Sequence, residues 1–141
     1  MKVLIDTNIL LAIVPKRSKV RWLYDALREQ KITLVVTTEI LDEYAEKLEW
    51  FYSANFADLV LEELLNLQNI EQTTIFYNWQ IIEDDPDDNK FIDAAISSGA
   101  DYIITHDKHF KLLDLLDFPV VRCISLDAFE RIFIASTDYK G

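Results

Sequence analysis

The stretch DPDDNKFIDAAISSGADYIITHD, residues 85–107, decides the fold because it predicts a helix followed directly by a buried strand. Asp85-Pro86 is typical of a helix start, since proline suits the first helical position and aspartate the cap before it. The predicted helix has one apolar stripe, formed by Phe91, Ile92, Ala95 and Ile96. Gly99 is a common residue just past a helix end, and the apolar run at 102–105 then predicts a strand.

The rest of the chain alternates in the same way on both sides of this unit. Further strands are predicted at 2–6, 32–36 and 120–124, and further helices at 9–14, 18–30, 56–67, 126–134 and after Thr37 or Thr38. Residues 75–82 are ambiguous and could contain a short strand. Strands separated by helices predict βαβ units, and hence an α/β fold with a mostly parallel sheet covered on both faces. We expect a single domain over 1–135 and a polar tail over 136–141.

Composition and charge exclude several classes of protein. The chain has 141 residues, half of them apolar, and a net charge of −11, so it is unlike domains that bind nucleic acid by bulk positive charge. Its single cysteine, Cys123, excludes an internal disulfide and a cysteine zinc site. No run of 18 apolar residues is present, so we expect no membrane span and a cytoplasmic protein.

Four acidic residues come from distant segments that the fold should bring to one edge of the sheet. Asp6 ends the first strand, Asp107 follows the strand at 102–105, Glu43 lies early in the helix after the second strand, and Asp88 lies at a helix start. The functional crevice of an open α/β sheet lies outside the carboxyl ends of its strands. Clustered carboxylates repel each other, and they suit a hard divalent cation such as Mg²⁺ or Mn²⁺. Such ions can support hydrolysis of a phosphodiester.

Each acid alone has an ordinary explanation, and only the combination is specific. Asp6 could be a turn residue, Glu43 an exposed helix acid, and Asp88 and Asp107 could cap helices. Two other enzyme classes group acids above a parallel sheet but fit less well. A receiver-like domain needs a second acid beside Asp6, and a phosphatase of the haloacid dehalogenase type needs Asp-x-Asp, where this chain has Asp-Thr-Asn.

Three segments carry a resemblance to a known family: VLIDTNIL at 3–10, VVTTEILDEYAEKL at 35–48 and DDPDDNKFIDAAISSGADYIITHDKHF at 84–110. With these segments in this order, the chain resembles the PIN-domain ribonucleases, in particular the VapC-like toxin components of toxin–antitoxin systems. The resemblance implies a three-layer α/β/α PIN-like fold and a Mg²⁺- or Mn²⁺-dependent endoribonuclease. It also implies an RNA substrate, a cognate antitoxin protein that holds the enzyme inactive, and in many relatives a homodimer.

The resemblance also assigns roles to individual residues. It assigns catalysis and metal binding to Asp6, Glu43, Asp88 and Asp107. Glu43 would hold a second metal ion or orient the attacking water. Hydrogen bonds that orient the carboxylates are expected from Thr7, Asn8 and Thr105. Asp93 lies on a different side of its helix from Asp88, so we assign the third acid to Asp88 and treat Asp93 as an outer acid.

Contacts to RNA are expected from basic residues near this site. The first group is a cluster of four, Lys16, Arg17, Lys19 and Arg21, and the second is Lys90 and Lys108, which flank the acids. A solvated surface is the ordinary explanation of such a cluster. His106 is expected at the rim, and the aromatic residues at 50–56 fit either the core or a partner interface. The alternative to an enzyme is a non-catalytic PIN-like interaction module, which would fold but neither bind metal nor cut RNA.

Overall fold

In the computed structural model, which describes residues 1–82, 88–107, 110, 113, 117 and 119–137, one parallel sheet is flanked by helices. The strands are β1 (Lys2–Ile5), β2 (Thr33–Val36), β3 (Ile70–Gln72), β4 (Tyr102–Ile104) and β5 (Cys123–Ile124). The helices are α1 (Thr7–Ile13), α2 (Arg21–Arg28), α3 (Thr38–Phe51), α4 (Ala54–Leu65), α5 (Asn89–Ser98) and α6 (Leu126–Thr137). The predicted α/β fold with a mostly parallel sheet is confirmed.

The core of the fold forms around the three middle strands. Val3, Leu4 and Ile5 of β1 are completely buried, as are the apolar residues of β2 and the two isoleucines of β4. Both faces of such strands must be covered, which is why they are continuous apolar runs. Helix α5 contacts β1, β2 and β4 through its apolar stripe, and it ends where Gly99 adopts a left-handed conformation with φ of 67°. None of the helices in the described ranges has the length and apolar character needed to cross a membrane.

Several elements differ from those predicted, and α2 and β5 are shorter than expected. The third strand is Ile70–Gln72, and residues 73–82 form no regular element. Helix α5 begins at Asn89 with Asp88 at its N-cap position, later than predicted, and Asp85 and Pro86 lie outside the described residues. Helix α6 continues to Thr137, beyond the predicted end at residue 134, so Ser136 is helical and the described part of the predicted tail belongs to this helix.

The order of the strands creates one switch point in the sheet. The strand order is β3-β2-β1-β4-β5, so the chain builds one side of the sheet from β1 to β3 and then crosses to the other side of β1 to form β4. Ile5 pairs with Ile104 in parallel register, so Asp6 and Thr105 follow these two strands side by side. Ligand sites of open α/β sheets lie at such switch points, outside the carboxyl ends.

Candidate active site

Asp6 is the buried acid at the switch point, and it is held from both sides. Its carboxylate belongs to a residue only 7% exposed, and its backbone N–H donates to the Ile104 carbonyl at 3.0 Å. The Thr105 hydroxyl donates to Asp6 Oδ2 at 2.7 Å, and the same Thr105 Oγ1 accepts the Asp107 backbone N–H at 3.0 Å. One threonine therefore orients the Asp6 carboxylate and fixes the backbone that carries Asp107.

The electrostatic environment of Asp6 opposes its negative charge. Burial raises the pKa of the Asp6 carboxyl, and the nearby Asp107 and Glu43 carboxylates raise it further. Hydrogen bonds from the Thr105 hydroxyl and the Thr7 backbone N–H act in the opposite direction but do not reverse the shift. Because like charges disfavour one another's ionised forms, a cation close to Asp6 would be favoured.

Glu43 lies at this site because two hydrogen bonds position α3. One caps the start of the helix, and the other is made by Tyr44, the residue after Glu43. The Thr37 hydroxyl accepts the Ile40 N–H at 3.1 Å and so caps α3 as predicted. Tyr44 is fully buried, and its hydroxyl donates to the Ile5 carbonyl at the end of β1. Glu43 Oε2 accepts the Thr7 hydroxyl, so the prediction that Thr7 orients a carboxylate agrees with the geometry.

Lys90 pairs with Glu43 across the site. Its Nζ lies 2.7 Å from Glu43 Oε1, and its side chain is only 12% exposed. The same ammonium group lies 5.6 Å from the centroid of the Phe91 ring, and the predicted contact of Lys90 with RNA stays a prediction. The pairing with Glu43 could not be found from sequence, because 47 residues separate the partners and neither forms a local pattern with the other.

Asp88 enters from the start of α5, two residues before Lys90. It occupies the N-cap position with φ of −74° and ψ of −20°, but its carboxylate does not cap the described turn of this helix. The predicted alternative, a side-chain cap, is thus not formed with the described turn. Asp88 lies at the same end of α5 as Lys90, and its assignment as the third acid stays a prediction.

The donor atoms at this edge suit a hard cation. Among the residues that the structure describes, no three His, Cys, Asp or Glu side chains lie close enough together to hold one ion. Mg²⁺ does not require such a group, because it is usually held by one or two carboxylates and keeps several waters. The carboxylate and hydroxyl oxygens of Asp6, Asp107 and Thr105, in an environment that disfavours negative charge, fit this type of binding.

Several clefts open at the carboxyl edge of the sheet, and two of them contain predicted acids that lie on different sides of the site. A cleft of about 360 Å³ is lined by both Asp6 and Asp107, with exposed Asn8 and His106 at its sides. A second cleft of about 820 Å³ lies towards β2 and β3, and Asp93 lines it. The Asp93 carboxylate accepts the Trp79 N–H at 3.0 Å, and burial and then the Glu39 carboxylate raise its pKa. Asp93 thus interacts with the groups around the second cleft.

The predicted basic cluster divides into two kinds of residue. Lys16, Arg17 and Lys19 are exposed on the α1–α2 connection, whose flanking residue Val20 lines the cleft beside Asp6. Arg21 has a structural role instead, because its guanidinium donates to the Val14 carbonyl and pairs with Asp25 at 3.1 Å. Lys108 lies outside the described residues.

Two further residues show how the edges of the site are built. His106 Nε2 accepts the Leu126 N–H at 3.2 Å, so this rim histidine also joins the end of β4 to the start of α6. Burial raises the pKa of the Tyr44 hydroxyl well above its ordinary value, as do the charges of Asp6 and Glu43. Tyr44 therefore stays a neutral donor behind the acids, a role that its place in an apolar helix stripe does not reveal from sequence.

Comparisons with known proteins agree with this geometry. No curated protein matches the chain. A chain of the crystal structure of VapBC2 from Rickettsia felis, bound to a DNA fragment from its promoter, matches with a TM-score of 0.62 and 16% sequence identity. The match covers 89% of this chain and 98% of that chain, and at this identity it shows a shared fold. The family model of the PIN domain matches residues 2–109, which include β1 to β4 and every acid of the site. The chain therefore belongs to the PIN-domain family.

Proposed function

We propose that this protein is a divalent metal-dependent endoribonuclease that hydrolyses RNA phosphodiester bonds in the cytoplasm. One observation carries the proposal: Asp6 is buried at the switch point of the sheet, and two further carboxylates raise its pKa. Such an arrangement costs stability without a cation, and it provides the oxygen ligands that Mg²⁺ or Mn²⁺ prefers. Membership of the PIN-domain family supports the same assignment.

The proposed roles follow from the contacts of each acid. Asp6, Asp107 and Asp88 would hold the metal ion directly or through water. When bound, the ion would activate water and stabilise charge on the phosphate. Thr105 orients Asp6 and positions the backbone at Asp107. Glu43 already contacts the Thr7 hydroxyl and the Lys90 ammonium, so of the two roles predicted for it we favour orienting the attacking water over binding a second metal ion.

The biological role that we propose is that of the toxin in a toxin–antitoxin pair. One solved structure with a similar fold is VapBC2 bound to a DNA fragment from its promoter. By analogy, an antitoxin protein would bind this chain and suppress its ribonuclease activity. The proposed homodimer follows from the family resemblance in the same way. The aromatic residues at 50–56 were expected either in the core or at a partner interface. Trp50 and Phe51 are 75% and 59% exposed, so these two side chains are not part of the core.

The purified protein should cut a mixed pool of single-stranded RNA when Mg²⁺ or Mn²⁺ is present, and cutting should stop when the metal is chelated. The physical reason is that the acids alone provide no positive charge to stabilise the phosphate during attack. Sequencing the cut ends would give the cleavage site and its termini. A folded protein that neither gains thermal stability from metal nor cuts any RNA would support the non-catalytic interaction module instead.

Removal of the exposed basic residues Lys16, Arg17 and Lys19 together should weaken RNA binding and flatten its salt dependence. An acidic protein must bind phosphates through local cations, and each phosphate contact to a single strand contributes about 0.7 to the slope of log affinity against log salt. We therefore expect the triple Ala variant to lose up to roughly 2 from that slope. Arg21 is retained because it holds the α1–α2 connection.

The matched control removes three basic residues elsewhere on the surface, Lys31, Arg122 and Arg131, which are also exposed. It changes net charge equally, so it separates local contacts from the effect of total charge. If both triple variants show the same slope as the wild-type protein, the α1–α2 connection is a solvated surface. The RNA contact then lies elsewhere.

A further inference from the structure

We propose that residues 73–82, here called the rim segment, together with the cleft of about 820 Å³ that they border, bind an unpaired nucleobase of the RNA substrate. This inference rests on the proposed ribonuclease function and specifies how its substrate is recognised. No motif assigned the segment a role, and the sequence predicted at most a short strand there. Its side chains and its attachment to the fold carry the argument.

The rim segment borders the cleft of about 820 Å³ and carries exposed aromatic rings. Phe76 is 89% exposed and Tyr77 is 63% exposed, and the Tyr77 ring packs edge-on against Trp79 at a centroid distance of 4.9 Å. Exposed neighbouring rings are unusual unless they bind something. Proteins recognise single-stranded RNA by stacking splayed bases on such rings, which contribute about 1–3 kcal/mol per base.

The backbone of the rim segment is anchored although its rings are exposed. Asn89 of α5 accepts the Ile82 N–H at 2.9 Å and donates to the Ile82 carbonyl at 2.8 Å. Asp93, also on α5, accepts the Trp79 N–H at 3.0 Å. The stretch between these anchors includes Gln80, which has a φ of 54°, a conformation that non-glycine residues rarely adopt. On the other side of the rings, the Val36 carbonyl accepts the Thr73 N–H at 2.9 Å, so Phe76 and Tyr77 lie on a short stretch held at residues 73 and 79. A stretch held at both ends loses less conformational freedom on binding, which favours affinity.

The lining of the cleft suits the edge of a base rather than a phosphate. Hydroxyl and amide groups line it, among them Thr37, Thr74, Asn78 and Gln80. Amides and hydroxyls can both donate and accept hydrogen bonds, as the edges of nucleobases require. The cleft also contains the Glu39 and Asp93 carboxylates, which repel phosphate but accept hydrogen bonds from base amino groups. Its volume lies within the range of small-ligand sites, roughly 300–1,000 Å³.

The cleft is directly connected to the catalytic acids through Lys90. Lys90 lines the cleft, and its Nζ lies 2.7 Å from Glu43 Oε1. A nucleotide whose phosphate lies at the acids could therefore place a neighbouring base in the cleft, with Phe76 or Tyr77 beside it. This continuity with the candidate active site, and the polar lining, favour RNA over a protein partner as the occupant.

The test compares the double variant Phe76→Ala/Tyr77→Ala with the wild-type protein. The measurement is the affinity for a fluorescent single-stranded RNA of mixed sequence, with metal chelated so that no RNA is cut. We expect about 10-fold weaker binding to the single strand, because two stacking rings are lost. Affinity for a duplex of the same RNA should not change, because its bases are already stacked on each other.

Two control variants separate ring stacking from other effects. Trp50→Ala/Phe51→Ala removes two similarly exposed rings from α3, away from the rim segment, and should bind single-stranded RNA like the wild-type protein. Phe76→Tyr/Tyr77→Phe keeps both rings of the rim segment and should also retain wild-type affinity. Because all four side chains are exposed, melting temperatures should remain close to that of the wild-type protein.

The inference is wrong if Phe76→Ala/Tyr77→Ala binds single-stranded RNA as tightly as the wild-type protein. It is also wrong if the variant loses affinity equally for duplex and single strand. A protein partner would then be the better explanation of the exposed rings. Cleavage of RNA by the wild-type protein separates failure of this inference from failure of the proposed function. If the wild-type protein cuts RNA but Phe76→Ala/Tyr77→Ala binds RNA normally, only this inference is wrong. If the wild-type protein cuts no RNA, the proposed function on which the inference rests is wrong.

Discussion

Asp6→Asn should abolish RNA cleavage and the metal-induced rise in melting temperature while leaving the fold intact. Substitution of residues that merely orient a metal ligand costs about 10–100-fold, so loss of a direct ligand should exceed 100-fold. The Asn side chain can still accept the Thr105 hydroxyl, which holds Asp6 Oδ2 at 2.7 Å. Metal at 100 times its Kd would stabilise the wild-type protein by about 2.7 kcal/mol, and the variant should lose most of that gain.

The pH dependence of stability gives this prediction a second readout. Burial and the neighbouring acids raise the pKa of Asp6 in the folded protein above its unfolded value. The folded state then holds its proton to higher pH, so metal-free stability falls as pH rises from the unfolded pKa through the folded one. Asp6→Asn removes this cost, so at neutral pH without metal the variant should melt a few degrees higher than the wild-type protein. Near pH 3 the difference should disappear.

Asp42→Asn is the matched control for Asp6→Asn. Asp42 is exposed on α3 directly before Glu43, so the substitution removes the same charge close to the site but outside it. Cleavage and the metal-induced melting shift should be those of the wild-type protein. Expression in cells adds a test of the toxin role, since the wild-type protein and Asp42→Asn should arrest growth and Asp6→Asn should not. Equal metal shifts in all three proteins would contradict the assignment of Asp6.

The sequence was sufficient for the parts of the fold that depend on continuous apolar runs. Strands β1, β2 and β4 were predicted to within about one residue, because buried parallel strands must be apolar on both faces. The edge strand Ile70–Gln72 was missed because its sequence, IEQ, is largely polar. What makes it a strand is its parallel pairing with β2, from Leu34↔Ile70 to Val36↔Gln72, and a local pattern does not contain that information.

From the sequence we could predict Asp6 and the threonines that bind the carboxylates, but not the contacts of Lys90 and Tyr44. Asp6 could be found because a carboxylate directly follows an apolar strand, and the register of β1 with β4 then brings Thr105 to it. The pairing of Lys90 with Glu43 and the Tyr44 hydroxyl depend on how α3 and α5 pack against the sheet. Side-chain contacts between distant helices are set by tertiary packing, so sequence spacing alone did not reveal the pairing of Lys90 with Glu43.

The assignment of the third acid is decided by comparing Asp88→Asn with Asp93→Asn. Both substitutions remove one negative charge from the same end of the molecule, and both residues lie on or next to α5. Asp88 precedes Lys90 at the edge that carries Glu43, whereas Asp93 accepts the Trp79 N–H and lines the other cleft. We therefore expect Asp88→Asn to lose more than about 100-fold in cleavage rate, beyond the effect typical of an orienting residue.

Asp93→Asn should keep much of the activity, because the Asn side-chain oxygen can still accept the Trp79 N–H and hold the rim segment. Removing a buried carboxylate whose pKa is raised by burial and by Glu39 should also leave the protein at least as stable at neutral pH. The measurements are single-turnover cleavage of one RNA and the melting temperature of each variant. If Asp93→Asn is inactive while Asp88→Asn cuts RNA normally, the third acid is Asp93. In that case the face of α5 that carries Asp93 would point to the metal, and the metal would lie nearer the second cleft.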